Sequence, residues 1–130
     1  MDTVCRATFP KREHLTGDKA IADLFGRGEA FIVFPLRIVY IRSEWVGVPV
    51  RVLFAAPKRH FRHAVDRNRM KRLMREAYRR QKVALSASVE GKVYTLNVAV
   101  GFIRPVRLGY EEMYAKMGKI VRLLTERLSE

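Results

Sequence analysis

Acidic side chains are scarce in this chain. Its 130 residues hold 13 Asp and Glu against 26 Lys and Arg. The acids, Asp18, Asp23, Asp66, Glu76 and Glu90 among them, are scattered along the sequence. A protein that holds its own catalytic metals for phosphodiester hydrolysis gathers carboxylates at one place, and no such gathering is visible. Cysteine is scarcer still. Cys5 alone cannot form an internal disulfide, and no arrangement of it with His14, His60 and His63 has zinc-ligand spacing. A reducing compartment is expected. Long apolar runs are also missing: none approaches the roughly 20 residues that cross a bilayer. The N-terminus lacks a signal-type hydrophobic region. The chain is therefore expected to be cytoplasmic and to engage no membrane. Internal repeats and low-complexity stretches are absent too, so one domain is expected over residues 1–130.

What is present narrows the choice. Hydrophobic residues make up 48% of the chain, too many for a disordered basic tail. A chain of this length can bury a single core without staples. The formal charge of +13 costs self-repulsion and favours anionic partners.

Residues 1–15 carry Arg6, Lys11, Arg12 and His14 with little periodicity and read as a basic arm over the surface. Thr16 offers an N-cap to a short helix in which Ile21, Leu24 and Phe25 share a face and Gly26 and Gly28 supply the stop. Phe31 to Ile41 reads as a strand, kinked or divided at Pro35. Arg42 to Gly47 reads as a polar turn, and Val48 to Ala56 as a second strand with Val50, Val52 and Phe54 on one side. Lys58-Arg59-His60-Phe61-Arg62-His63 is a basic connection. Val83 to Lys92, with Ser86, Ser88 and Gly91, reads as a loop. Tyr94 to Phe102 alternates strictly and is the clearest strand. Tyr110 to Leu128 puts Met113, Met117, Ile120, Val121, Leu124 and Leu128 on one helical face. One sheet covered by helices is the natural architecture for this order.

Between the second and the last strand lies the segment with the most chemistry. At about 100° per residue, Met70, Leu73, Met74, Ala77 and Tyr78 form a continuous apolar stripe. Asn68, Lys71, Arg72, Arg75 and Arg79 gather opposite. Glu76 is the single acid among them, placed to pair with Arg72 and Arg80 at i,i+4. A charge run is usually a solvated face, but this excess of cations over acids points to a polyanion.

The run Ala64-Val65-Asp66-Arg67-Asn68-Arg69-Met70-Lys71-Arg72-Leu73-Met74-Arg75-Glu76-Ala77 resembles the signature helix of the bacterial ribonuclease P protein subunit. Phe9-Pro10-Lys11, Leu24-Phe25-Gly26-Arg27-Gly28 and Ile103-Arg104-Pro105 occur in that family's order, so the resemblance covers most of the chain. It implies an α+β fold, a single-domain α/β sandwich of order α-β-β-β-α-β-α. Its mixed four-stranded sheet contains a left-handed βαβ crossover, as in ribosomal protein S5 domain 2, an exception to the right-handed rule. It also implies an accessory subunit of an endoribonuclease, in which a catalytic RNA with its Mg2+ ions removes the 5′ leader of precursor tRNA. Arg67, Asn68, Arg69, Lys71, Arg72, Arg75 and Arg79 then fall on the contact with ribonuclease P RNA. Phe25, Tyr40, Phe54, Lys58, Arg59 and Arg104 fall on a cleft for the single-stranded leader, where aromatic faces stack bases and cations follow phosphates. Two departures from the family's common pattern lie in the connecting loop. Lys58-Arg59-His60 stands where Ser-Lys-Lys is common, and Arg62 where Gly is common.

Each of these assignments has a plainer counterpart. Phe25, Tyr40 and Phe54, taken singly, are equally readable as core, Phe54 above all. His60 and His63 lack a third ligand and read as surface or RNA-facing residues. Asn68 has an amide oxygen suited to a hydrated Mg2+ ion shared with RNA phosphates, or to a plain hydrogen bond. A DNA-binding module or a ribosome-associated protein using the same helix is the alternative reading. The chain shows no heptad or duplicated unit of the kind that usually accompanies DNA recognition.

Overall fold

The computed structural model describes residues 9–129; Cys5 and Arg6 lie outside them. Helix α1 spans Asp18–Arg27 and is followed by strands β1, Glu29–Val33, β2, Leu36–Glu44, and β3, Val50–Ala55. Helix α2, Ala64–Arg79, and a short α3, Lys82–Val89, lead to β4, Tyr94–Phe102, and the chain closes with α4, Tyr110–Leu128. The four strands form one mixed sheet in the order β1-β2-β4-β3. β1 with β2 and β2 with β4 are antiparallel, whereas β3 and β4 are parallel and joined through α2 and α3. The expected α+β class and element order therefore hold, with one helix added.

The sheet is covered on both faces, and this explains β4. Val98, Val100 and Phe102 join the larger core with Met70, Met74 and Tyr78 of α2 and Met113, Met117 and Ile120 of α4. Ala99 points the other way and packs with Val39, Leu15 and Leu24 beneath α1. Thr95 and Asn97 are buried as well, and both are satisfied. The Thr95 hydroxyl donates to the Val48 carbonyl at 2.7 Å, and the Asn97 side chain joins Arg51 at 3.1 Å and Ser43 at 3.2 Å. Buried here, these side chains cannot turn to water, so their polar groups must bond to neighbours.

Four expectations from sequence are corrected. Residues 83–92 are not a loop throughout, because Lys82, Leu85 and Val89 share a buried face of α3. The first fifteen residues are not all a surface arm. Leu15 is fully buried, its amide donates to the Val52 carbonyl at 3.0 Å, and His14 bridges Val52, so this segment covers the outer edge of β3. Glu13 forms an ion pair with the buried Lys82, tying the same segment to α3. The N-cap of α1 is Gly17 at φ 98°, not Thr16. The polar turn expected from Arg42 begins later: the stretch 31–41 divides at Pro35 as expected, but β2 continues through Arg42, Ser43 and Glu44, which pair with Leu96, Thr95 and Tyr94.

Gly28 sets how closely α1 approaches the sheet. A Cβ there would meet the Leu24 carbonyl oxygen at 2.4 Å and the Tyr40 carbonyl oxygen at 2.9 Å. Both are backbone atoms with no room to move, so only glycine fits this corner.

Candidate nucleic-acid interface

The register of the sheet builds a trough on the α1 face. Arg37 pairs with Gly101, and Gly101 with Ala55; one row further in, Val39 pairs with Ala99, and Ala99 with Leu53. At this end of the face the central strand presents only Ala99 and Gly101, and the missing side chains leave a depression of about 180 Å³. A Cβ on Gly101 would already stand 3.4 Å from that of Ala55. Phe25, 53% exposed at the end of α1, walls one side, while Arg37 and Arg59 stand over the rim. Ile32 extends the Arg37 row onto β1, and Phe34 lies at the turn beyond; both are largely exposed. A shallow apolar floor beside an exposed ring and two guanidinium groups fits an unpaired nucleotide strand.

The other cationic surface is α2, which packs on the opposite face of the sheet through Met70, Met74, Ala77 and Tyr78. Leu73 is only half-buried against this core. Asn68, Arg69, Arg72 and Arg75 are exposed, and the three arginines pair with no acid among the described residues. Lys71 is half-buried at the side of the helix. Glu76 pairs with Arg79 at i,i+3, at 2.9 and 2.5 Å, and not with Arg72 or Arg80. The Arg79 guanidinium holds the Glu76 carboxyl below the usual carboxylate range. Burial pushes the Tyr78 phenol on the inner face far up, with the Glu13 charge adding to it.

Arg67 differs from its neighbours. Its Nη1 donates to the carbonyls of Phe61, at 2.9 Å, and Arg62, at 3.0 Å. The Phe61 ring is buried edge-on against Phe102, with centroids 4.9 Å apart. Arg67 thus clasps the basic connection to the first turn of α2, with Asp66 beside it paired to Arg107 at 2.7 Å. Arg67→Ala is expected to loosen residues 58–63, seen as faster amide exchange there, with about 1 to 3 kcal/mol lost in charge-assisted hydrogen bonds. Exchange at the parent rate would remove the clasp.

A family model described as Ribonuclease P matches residues 9–122. The chain belongs to the ribonuclease P protein family. It is 47% identical over 83 residues to the ribonuclease P protein component of Porphyromonas gingivalis, covering 62% of this chain and 61% of that protein. To the component of Chlorobaculum tepidum it is 42% identical over 85 residues, covering 62% and 55%. The matches thus span between 55% and 61% of the lengths of these ribonuclease P relatives. Among solved structures, the RNase P protein of Thermotoga maritima superposes with a TM-score of 0.68 at 18% identity, covering 88% of this chain and 97% of that one. The Staphylococcus aureus RNase P protein does so with 0.67 at 12%, covering 85% and 94%. At those identities the likeness is one of fold.

The positions carried over from the ribonuclease P resemblance divide by face. Phe25 and Arg59 line the trough. Lys58 and Arg104 are exposed, each next in sequence to a lining residue, Arg59 and Ile103. Tyr40 and Phe54 do not belong there. Both are buried on the α2 and α4 side of the sheet. The Tyr40 hydroxyl donates to Glu29 at 3.2 Å and accepts from Arg127 at 3.5 Å, and Phe54 meets Phe9 and Tyr78 edge-on at 6.0 and 5.8 Å. Side chains alternate across a strand, so the trough takes their neighbours instead: Val39, Leu53 and Ala55, with Arg37 and Gly101. The signal for these was Arg37 between apolar residues and the pair of small residues Ala99 and Gly101 in an otherwise bulky strand.

Proposed function

We propose that this chain is the protein subunit of a cytoplasmic ribonuclease P, assisting a catalytic RNA in removing the 5′ leader of precursor tRNA. The reading is carried by the family match over residues 9–122 together with Arg69, Arg72 and Arg75, exposed on α2 and paired with no acid among the described residues. Arg69, Arg72 and Arg75 contact the phosphates of the ribonuclease P RNA, with Asn68, Lys71 and Arg79 at the same surface. Arg67 supports this contact by holding the connecting loop. The trough takes the single-stranded leader: Phe25 stacks on a base, while Arg37, Lys58, Arg59 and Arg104 follow the phosphates without reading sequence.

Magnesium belongs to this reading through the RNA. Among the described residues no group of three or more His, Cys, Asp or Glu could hold a metal ion. Asn68, whose amide oxygen is a hard donor on the exposed face of α2, is the side chain here that could approach the hydration shell of a Mg2+ ion bound with the RNA. Such an ion would supply charge neutralisation and a more acidic water. No described helix is long and apolar enough to cross a membrane.

The test is cleavage of precursor tRNA by a bacterial ribonuclease P RNA at low magnesium and moderate salt, with and without the protein. Addition is expected to restore cleavage. No restoration, with salt-dependent binding to any duplex offered, would leave a generic basic binder of DNA or ribosomal RNA. In the reconstituted enzyme, Phe25→Ala is expected to weaken binding of leader-bearing precursor about fivefold or more, as for one lost base stack, and to leave mature tRNA unaffected. Equal losses for both ligands would move the leader out of the trough.

A further inference from the structure

The arginine face of α2 does not stop at the end of that helix. At about 100° per residue, Arg69, Arg72, Glu76, Arg79 and Arg80 lie along the side of α2 next to Asp66. Asp66 in turn is paired with Arg107, just before α4. The chain from Arg107 runs along this side, because the hydroxyl of Tyr110, in the first turn of α4, accepts a hydrogen bond from Arg80 at 3.4 Å. Tyr110 therefore stands beside Arg80, half-buried against the core.

One turn further on, Tyr114 is 38% exposed, its ring centroid 6.0 Å from that of Tyr110 at an interplanar angle of 45°. Its backbone is fixed. The Gln81 amide donates to the Tyr114 carbonyl at 2.9 Å and to the Ala77 carbonyl at 3.2 Å, linking the end of α2 to α4. Gln81 lies so close over Gly118 that a Cβ there would meet its Oε1 at 2.6 Å. An exposed tyrosine buttressed by a second ring, on a rigid joint at the border of a cationic face, is the arrangement that receives an unpaired base. Glu111, three residues before Tyr114 and so on the same side of α4, repels a phosphate from this spot but not a base face.

We propose that Tyr114, backed by Tyr110, is a stacking site for an unpaired nucleotide of the RNA that lies along α2. The inference rests on the reading of α2 as the face for ribonuclease P RNA, and it extends that face onto α4, away from the trough. Phosphates contact Arg69, Arg72 and Arg75, and the strand then turns a base onto Tyr114 beyond Arg80.

The experiment measures binding of ribonuclease P RNA to the full chain over a series of salt concentrations. Tyr114→Ala is expected to lower affinity about fivefold or more, the range of one aromatic-base stack, with the salt slope unchanged. Tyr114→Phe, which keeps the ring, is expected to bind like the parent. Arg69→Ala weakens binding and lowers the slope by about one. In a Trp45→Phe background, Tyr114→Trp is expected to lose fluorescence on adding the RNA. Parent-like affinity of Tyr114→Ala beside a weakened Arg69→Ala would overturn the stacking site and leave the α2 reading standing. Parent-like affinity of both variants would overturn the two together. Unquenched Tyr114→Trp in the bound complex would overturn the stacking site by itself.

Discussion

Removing Arg69, Arg72 and Arg75 together, each to alanine, is expected to weaken binding of ribonuclease P RNA on the order of 100-fold while leaving the fold intact. These side chains are exposed on α2 and pair with no acid among the described residues, so their loss breaks nothing inside the protein. Each phosphate contact contributes about 1 kcal/mol net, and three contacts together give that factor. The salt dependence is the sharper readout. Each contact releases counterions, so the slope of log affinity against log salt should fall by about 2 to 3 in the triple variant. A lower affinity with the parent slope would mean that the arginines read something other than phosphate. A lowered melting temperature would mean that they hold the fold.

Met74→Ala tests the opposite face of the same helix. Met74 is fully buried in the larger core, and its truncation leaves a cavity there. A loss of about 2 to 5 kcal/mol is expected, measured as a lower urea midpoint with an unchanged m-value. Leu73→Ala should cost less, because Leu73 is half-buried at the margin of the same core. If the two truncations cost the same, the burial difference between these adjacent positions has no energetic meaning. Met74→Ala and the triple arginine variant together separate stability from binding on a single helix: one should change only the denaturation curve, the other only the RNA isotherm.

The two surfaces proposed to bind RNA lie on opposite sides of the sheet, and the connection between them is short. Pro57 and Arg59 line the trough, while Phe61 is already buried against Phe102 in the larger core. Arg67 clasps the carbonyls at Phe61 and Arg62 to α2. Within a few residues the chain passes from the trough to the exposed face of α2, and the clasp ties this passage to α2. The departures at Lys58-Arg59-His60 and Arg62 from the family's common pattern fall in this passage, where they leave cationic side chains exposed.

Much of this protein is legible in its sequence because the relevant signals are local. The apolar stripe of α2, the alternation of β4 and the period of α4 follow from hydrophobic spacing alone. The basic face of α2 follows from the same wheel, and the excess of positive charge from counting. Where the reading failed, the deciding contacts are remote in sequence. Leu15 looks like part of an arm until Val52 pairs with its backbone. Residues 83–92 look like a loop until Lys82, just before them, meets Glu13 in the interior and Leu85 and Val89 are buried. Arg67 looks like its neighbours Arg69 and Arg72 until the loop folds back beneath it. Alternation in β2 and β3 sorts residues into two faces but does not say which face each helix covers. The resemblance places Tyr40 and Phe54 in the leader cleft, whereas the sheet turns both toward α2 and α4. Most elements, the amphipathic helix and the excess of positive charge are written locally in the sequence itself, since propensity and periodicity act over a few residues. Only the tertiary structure decided which strand face meets α1 and where the small residues of β4 open a trough, because both depend on register between strands far apart in the chain.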